Sequence, residues 1–298
     1  MGTYQKQVME GKSSARTSRS QARTIMEVVD PMTNLHELTQ AQMLRAVSAL
    51  LEERSAATVN RCLDNFKRAI NHMGETYDAK LPAKINWTRL KKKEPEERVR
   101  ELTRAEENAL FEHLRNDLHP LVHFALLTGA RQGTICGLLW SDIDFDEGRM
   151  IFRIKGGGTQ RFPLTEETRE LLQSIPQART PATRRYVFTF LGEDGQPHPI
   201  NPSGGHIWMK WRDAVRDAGI EDFRFHDLRH TFATRMLRQT GNLKLVSRLL
   251  GHKSLETTMR YAHVLDDDLE QALSAYAVRP ATLSATDSGK VLKIKSGD

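Results

Sequence analysis

A histidine and an arginine three residues apart are the side chains in this sequence whose spacing is best suited to chemistry. His226 and Arg229 lie in the segment FHDLRHTFAT at 225–234, and residues at i and i+3 share one helix face. Leu228, Phe232 and Met236 would face the core. A guanidinium holds anionic oxygens, and an imidazole can accept a proton. The plain alternative is a satisfied core histidine beside a surface arginine.

The same helix raises the question of a metal site. His226 and His230 are spaced i, i+4, but no glutamate suited to a metal-dependent hydrolase lies between them and no third ligand is indicated. The two cysteines, Cys62 and Cys136, sit among apolar neighbours, which favours reduced, packed thiols. The sequence therefore predicts neither a metal site nor a disulfide framework.

A second group of polar residues follows near the end of the chain. Gly251 is suited to ending one helix and Ser254 to capping the next, so His252 is expected on the turn between them. Tyr261 follows within ten residues. Alone, such a tyrosine is more often a half-buried aromatic with its hydroxyl at the surface.

A third feature is an arginine after a helix-ending glycine. In Thr128-Gly129-Ala130-Arg131, the glycine is suited to the left-handed conformation that closes helices. Arg131 would then lie at the start of the next amphipathic stretch. Alone it is as often an ordinary surface arginine.

Together, these segments resemble the tyrosine recombinase family, also called the phage integrase family. The matching segments are Thr128 to Arg131, His226 to Ala233, Leu250 to His252 and Tyr261 to His263. The order and approximate spacing of all four agree with the family's pattern. The resemblance extends over nearly the whole chain, although the residues before Thr103 fit by helical pattern only.

The resemblance implies a catalytic role for six residues: Arg131, Lys155, His226, Arg229, His252 and Tyr261. Tyr261 would attack a phosphodiester, and the two arginines would hold the nonbridging oxygens on which charge develops. His226 would be the base or hydrogen-bond partner, and Lys155 the acid for the leaving 5′-oxygen. His252 would donate to the phosphate. No metal, nucleotide or other cofactor is then required.

One position departs from the family's pattern. Many relatives carry an acidic residue three positions after the first arginine, where this sequence has Thr134. The departure concerns how Arg131 is supported and does not affect its presence.

Charge and composition agree with a DNA partner. The formal net charge is +6 among 298 residues, 39% of them hydrophobic, and the isoelectric point is near 9.3. Basic side chains release condensed counterions when they neutralise phosphates. No apolar run approaches the ~18 residues of a membrane span, and the basic start lacks the apolar stretch of a secretory signal. We therefore expect a cytoplasmic protein.

The predicted fold class is mainly α with a small antiparallel β-meander. The meander is expected over 143–164, between helical segments. Residues 1–24, polar and basic, are expected to be a flexible arm. The predicted ranges are 25–90 for a helical domain, 91–102 for a basic linker, 103–277 for an α+β domain and 278–298 for a polar tail. The resemblance implies that the helical domain is a core-binding, DNA-binding domain and that the α+β domain is catalytic.

The resemblance also implies an activity and partners. The activity is site-specific recombination of duplex DNA through a 3′-phosphotyrosyl intermediate, performed by a homo-tetramer, with possible accessory DNA-bending or directionality proteins. Residues 266–277 could dock on a neighbouring subunit. Two alternatives remain: a type IB topoisomerase, and a DNA-binding regulator of the same fold without catalysis.

Overall fold

The computed structural model describes residues 1–12, 14–30, 32–81, 85–95, 98–154, 157–178 and 180–265. The chain divides into two units, Met1–Glu96 and Glu97–Asp298. Each unit has its own buried apolar cluster. The predicted class, mainly helical with a small antiparallel sheet, is confirmed.

The first unit is entirely helical in the part that is described. Its helices are α1 (Gly2–Tyr4), α2 (Ala15–Met26), α3 (Gln40–Glu53), α4 (Ala56–Tyr77) and α5 (Trp87–Leu90), with a π-helical turn Gln5–Met9 and a 3-10 turn Leu35–Glu37. Ser55 is the N-cap of helix α4, because its hydroxyl accepts a hydrogen bond from the Thr58 backbone N–H at 3.3 Å. The core contains Met43, Val47, Leu63 and Phe66.

The N-terminal segment differs from the flexible arm expected over residues 1–24. Helix α2 buries Ala15, Ser18 and Ala22, and Ser18 exchanges hydrogen bonds with Asn65 of α4 at 2.8 and 3.0 Å. These buried positions follow a helical spacing but are small or polar. They therefore give little of the hydrophobic signal on which a sequence-based prediction depends.

The basic segment predicted as a linker over 91–102 is divided between the two units. Lys91 pairs with Asp64 at 2.8 Å, and the Asn60 side chain accepts a hydrogen bond from the Lys92 backbone N–H at 3.0 Å. At its other end, Leu102 is fully buried and its N–H donates to the Thr231 hydroxyl at 2.9 Å. Both ends are therefore held by hydrogen bonds within their own unit.

The second unit surrounds two small sheets with helices. Its elements are α6 (Arg104–His113), α7 (His119–Thr128), α8 (Gln132–Cys136), β1 (Ile143–Asp144), β2 (Arg149–Ile154), β3 (Gly158–Pro163), α9 (Glu166–Ser174), β4 (Thr189–Leu191), β5 (Pro197–Pro199), α10 (His206–Asp217), α11 (Asp227–Thr240), α12 (Leu243–Leu249) and α13 (Glu256–Met259). Three 3-10 turns accompany them, at Asn116–Leu118, Trp140–Asp142 and Ala262–Leu265.

The predicted meander is present in this unit, and its first helix has a capped start. Thr103 and Glu106 form a capping box at the start of α6, with hydrogen bonds of 2.9 and 3.2 Å. Strands β1, β2 and β3 form an antiparallel sheet in that order, and Phe152 pairs with Gln160 across the hairpin. Met150, Phe152 and Phe162 turn into the core.

The hairpin of β4 and β5 was not predicted. Each strand has three residues, and β5 has proline at both ends, which weakens the strand pattern. Lys155, the expected helix at 266–277 and the expected tail at 278–298 lie outside the described residues. Within the described ranges, no helix has the length and apolar character to cross a membrane.

Candidate active site

Three residues that could do chemistry, His226, Arg229 and His230, lie at the N-cap and in the first turn of helix α11. Asp227 in this turn is buried and accepts a hydrogen bond from the Arg224 N–H at 2.7 Å. It also pairs with Arg98 at 2.5 Å. Because Asp227 lies between His226 and Arg229, these contacts fix the turn from which both side chains project.

Arg229 is the central side chain of the site and is only 5% exposed. Its Nη1 donates to the Gly129 carbonyl at 2.8 Å, and its Nη2 donates to the Leu250 carbonyl at 2.7 Å. Nη2 also donates to Nε2 of His252 at 2.9 Å. Burial, and secondarily the charge of Arg131, lower the pKa of Arg229 to about 10, which leaves it charged at neutral pH.

Gly129 ends α7, contacts α11 and positions Arg131. The glycine closes α7 in the left-handed region, with φ of 60°, as the sequence predicted. A Cβ atom there would lie 2.3 Å from the Phe232 ring of α11. Arg131 follows two residues later as the N-cap of α8. Among the described residues, Arg131 forms no salt bridge with a carboxylate, and Thr134 instead donates to the Arg153 carbonyl at 3.4 Å.

The tautomer of His252 follows from its partners. Arg229 can only donate, so Nε2 of His252 accepts, and a neutral ring must carry its proton on Nδ1. That nitrogen lies 2.7 Å from the Thr258 hydroxyl, to which it donates. Burial and the charge of Arg229 lower the pKa of His252 to about 4. Both ring nitrogens are therefore engaged, and no N–H is left for a phosphate in this arrangement.

Tyr261 contacts His230 and is 2% exposed. Its hydroxyl oxygen shares a hydrogen bond of 2.8 Å with Nδ1 of His230. Burial raises the pKa of Tyr261, and the charge of Arg229 opposes that effect. Burial lowers the pKa of His230 to about 4. Tyr261 is thus a buried phenol paired with a neutral imidazole, unlike the half-buried tyrosine with a surface hydroxyl that was the alternative interpretation.

His226 lies one helical turn before His230 and is exposed. The two rings meet edge to face, with centroids 5.4 Å apart. Desolvation by the surrounding protein and the charge of Arg229 lower the pKa of His226. His226 thus lies beside His230 at the start of α11, and it is His230 that contacts the Tyr261 phenol.

Sequence reasoning missed His230, Thr258 and Arg98 as parts of this site. His230 follows Arg229 directly and lies in the segment that resembles the family, but its spacing from His226 indicates only a possible metal ligand and not a partner of the phenol. Across the described ranges, no group of three or more histidine, cysteine or acidic residues could hold a metal ion. The structure brings together the predicted site residues that it describes, which are Arg131, His226, Arg229, His252 and Tyr261. Arg229 and His252 share a hydrogen bond, and charges within this set affect the pKa values of His226, His252 and Tyr261.

The sequence matches the phage integrase family over residues 96–268. A tyrosine recombinase of Thermosipho africanus is 29% identical over 73% of this chain and 75% of its own length. A shufflon-specific DNA recombinase of Escherichia coli is 28% identical over 67% of this chain. Tyrosine recombinase XerC of Corynebacterium glutamicum is 33% identical over 49%. The chain spans only 53% and 46% of the length of the last two relatives.

Solved structures share the fold at lower sequence identity. A lambda integrase dimer bound to a core site aligns with a TM-score of 0.67 and 18% identity, covering 87% of this chain and 93% of that one. The Tn1549 transposon integrase in complex with transposon right-end DNA aligns with a TM-score of 0.70 and 19% identity, covering 93% and 97%. Since the family match covers more than half of the sequence, this chain belongs to the phage integrase family, the tyrosine recombinases.

Proposed function

We propose that this chain cleaves and rejoins duplex DNA at specific sites through a covalent 3′-phosphotyrosyl bond formed by Tyr261. The observation that carries the proposal is the Arg229 cluster, in which one buried guanidinium bonds the turns that carry Arg131 and His252. A buried cation is costly unless it is paired or has an anionic partner to bind. A phosphodiester supplies such a partner.

The two arginines would hold the nonbridging phosphate oxygens. The bonds of Arg229 to Gly129, Leu250 and His252 use three of its five N–H groups, which leaves two for a phosphate oxygen. Arg131 lies close enough to lower the pKa of Arg229 by its charge. Two guanidinium groups converging on one phosphate stabilise the charge that develops during in-line transfer.

Tyr261 must leave its buried contact with His230 before it attacks, because its side chain is 2% exposed. Burial raises the pKa of Tyr261, whereas the charge of Arg229 lowers it. Movement out of the apolar pocket towards the arginines therefore favours the phenolate. In this account His230 holds the phenol in its buried position, and the exposed His226 receives its proton.

The proposed step conserves bonds and protons. The Tyr261 oxygen forms a bond to phosphorus as the bond from phosphorus to the 5′-oxygen breaks. The phenol proton passes to His226, and Lys155 protonates the departing 5′-oxygen. Religation is the reverse of this step, so the phosphotyrosine preserves the energy of the broken bond. His252 orients Arg229 and, if it donates to phosphate, does so only after Arg229 releases Nε2.

We further propose a cytoplasmic location, a homo-tetramer on two DNA sites and possible accessory DNA-bending or directionality proteins. The predicted domains are core binding over 25–90 and catalysis over 103–277, and we expect each of them to contact duplex DNA. A lambda integrase tetramer bound to a Holliday junction is among the structures of similar fold, which supports the tetramer as a proposal for this chain.

Trapping the covalent intermediate tests the function. The Tyr261→Phe variant first selects a bound duplex from a randomised library. The duplex is then nicked so that cleavage releases a short fragment and prevents religation. With the chelator EDTA present, wild type should form an adduct that survives denaturation and Tyr261→Phe should form none. Tight binding by both proteins without an adduct would favour the non-catalytic regulator. Relaxation of plasmids that lack the selected site would favour the topoisomerase.

A further inference from the structure

Gln160 on β3 forms a bridge to the turn that carries His252. Its side-chain amide donates to the Arg248 carbonyl at 2.8 Å and to the Leu249 carbonyl at 2.9 Å. Both carbonyls lie at the end of α12, and that of Arg248 also accepts from the Gly251 N–H at 3.0 Å. The next carbonyl, that of Leu250, accepts from Arg229. Side chains thus bind three consecutive carbonyls at this helix end.

The turn after α12 is shaped to receive Gln160. Gly251 adopts φ of 62°, and the His252 N–H donates to the Ser247 carbonyl at 3.0 Å, as in a helix-ending Schellman motif. A Cβ atom at Gly251 would lie 2.2 Å from Oε1 of Gln160. The glycine therefore permits both the backbone conformation and the close approach of the glutamine amide.

The other end of this bridge is the hairpin of β2 and β3. Gln160 pairs with Phe152 and Gly158 pairs with Ile154, so the connection between the strands includes Lys155. The Phe152 ring is buried and stacks on Phe162 with centroids 5.0 Å apart. The strand that holds Gln160 is therefore anchored in the core, and the side-chain amide of Gln160 can fix the position of the turn after α12.

We propose that Gln160 is a positioning residue for cleavage: its amide fixes the His252 turn against the β2–β3 hairpin and thereby aligns Arg229 with the phosphate. This role rests on the proposed function. The route passes through two contacts of the same turn, because both the Leu250 carbonyl and the His252 ring accept from Arg229. A displaced turn would alter both bonds.

The chemistry of the bridge distinguishes between replacements. Methionine is similar in volume to glutamine but cannot donate, whereas lysine donates through its ammonium group. The test therefore compares Gln160→Met with Gln160→Lys in single-turnover cleavage at saturating protein. Gln173→Met on α9 makes the same replacement at an exposed position. Gln160→Met should cleave about tenfold more slowly, the loss expected for two hydrogen bonds of modest net value.

Two further results are expected if the role is correct. Gln160→Lys should recover most of the rate, although its added charge can tighten DNA binding, and Gln173→Met should cleave as wild type. A 5′-bridging phosphorothiolate substrate, whose thiolate leaves without an acid, should not restore the rate of Gln160→Met. Full recovery on that substrate would overturn the proposal, because it would place the defect in protonation of the leaving group near Lys155. Unchanged cleavage by Gln160→Met would also overturn it.

Imidazole NMR spectra give a readout that does not depend on activity. The His252 signals should shift in Gln160→Met and move back in Gln160→Lys, while those of His198 on β5 stay unchanged. Unchanged His252 signals in both variants would contradict a positioning role. Failure of wild type to form the Tyr261 adduct would instead contradict the proposed function, and the two failures are therefore distinguishable.

Discussion

The Tyr261 hydroxyl lies 2.8 Å from Nδ1 of His230, which follows Arg229 directly in the sequence. Helix α11 thus contacts the proposed nucleophile with one residue and binds the Gly129 and Leu250 carbonyls with the preceding one. His230 is buried against this phenol, whereas His226 on the preceding turn is exposed. We therefore assign different roles to the two histidines of this helix.

Replacement of each histidine by glutamine separates these roles. His226→Gln removes the proposed proton acceptor and should slow single-turnover cleavage by about 100-fold or more, in the range of general acid–base catalysis. His230→Gln retains hydrogen-bonding capacity beside the buried phenol and should slow cleavage far less. Both variants should bind the selected duplex as wild type. A larger loss for His230→Gln would exchange the two assignments.

Arg229→Lys should lose cleavage while retaining most DNA affinity. A single ammonium cannot reproduce the bonds to Gly129, Leu250 and His252 while also presenting a planar pair of donors to phosphate. We expect a rate loss of about 100-fold or more, as for removal of an oxyanion donor. Arg216→Lys, at an exposed position on α10, is the control. Near wild-type cleavage by Arg229→Lys would contradict the bidentate role.

Two helix-ending glycines, Gly129 in a packed environment and Gly241 in an open one, give a stability prediction. Gly129→Ala places a methyl group against the Phe232 ring, and the residue also has positive φ. Gly241, at the end of α11, has the same φ of 60°, but a Cβ atom there would meet no atom within 4 Å. We expect a cost of about 1 kcal/mol for Gly241→Ala and of at least about 3 kcal/mol for Gly129→Ala. Denaturant unfolding measures both, and equal costs would contradict the close packing.

Acid should weaken the second unit once the pH falls below the ordinary pKa of histidine. The pKa values of His230 and His252 are lowered to about 4 from an ordinary 6.5, so the unfolded chain binds more protons between these limits. Stability is therefore highest above pH 6.5 and falls as the pH drops towards 4. Below pH 4, protonation of the buried His230 should lower the free energy of unfolding by about 3 kcal/mol in total.

Melting temperatures between pH 7.5 and 5 test this prediction. His230→Gln should have a flatter profile than wild type, because it removes one of the two groups whose protonation opposes folding. Gln173→Ala removes no titratable group and should follow wild type. An unchanged slope in His230→Gln would mean that the pKa of His230 is the same in the folded and unfolded protein, which would contradict its lowering by burial.

The sequence predicted helix α11 and the helix ends around the candidate site because local signals mark them. Gly129 and Gly251 end helices by positive φ, and the Thr103 capping box marks the start of α6. These features depend on nearby residues in the chain. The helical periodicity around His226 and Arg229 was likewise visible in the sequence.

The contacts missed from the sequence join residues distant in the chain. His230 and Tyr261 are 31 positions apart, and Gln160 and Arg248 are 88 apart. No local pattern indicates which of several polar residues will meet across a core. Helix α2 was missed for another reason, since its buried face consists largely of small and polar residues such as Ala15 and Ser18.

Mass spectrometry of the trapped adduct tests the central claim most directly. Trypsin cleaves after Arg260, so the modified peptide begins at Tyr261 and also contains Tyr276. Tandem fragmentation should place the nucleotide on Tyr261, with the phosphate bonded to its phenolic oxygen. A nucleotide on Tyr276, or on a serine or histidine elsewhere, would contradict Tyr261 as the nucleophile.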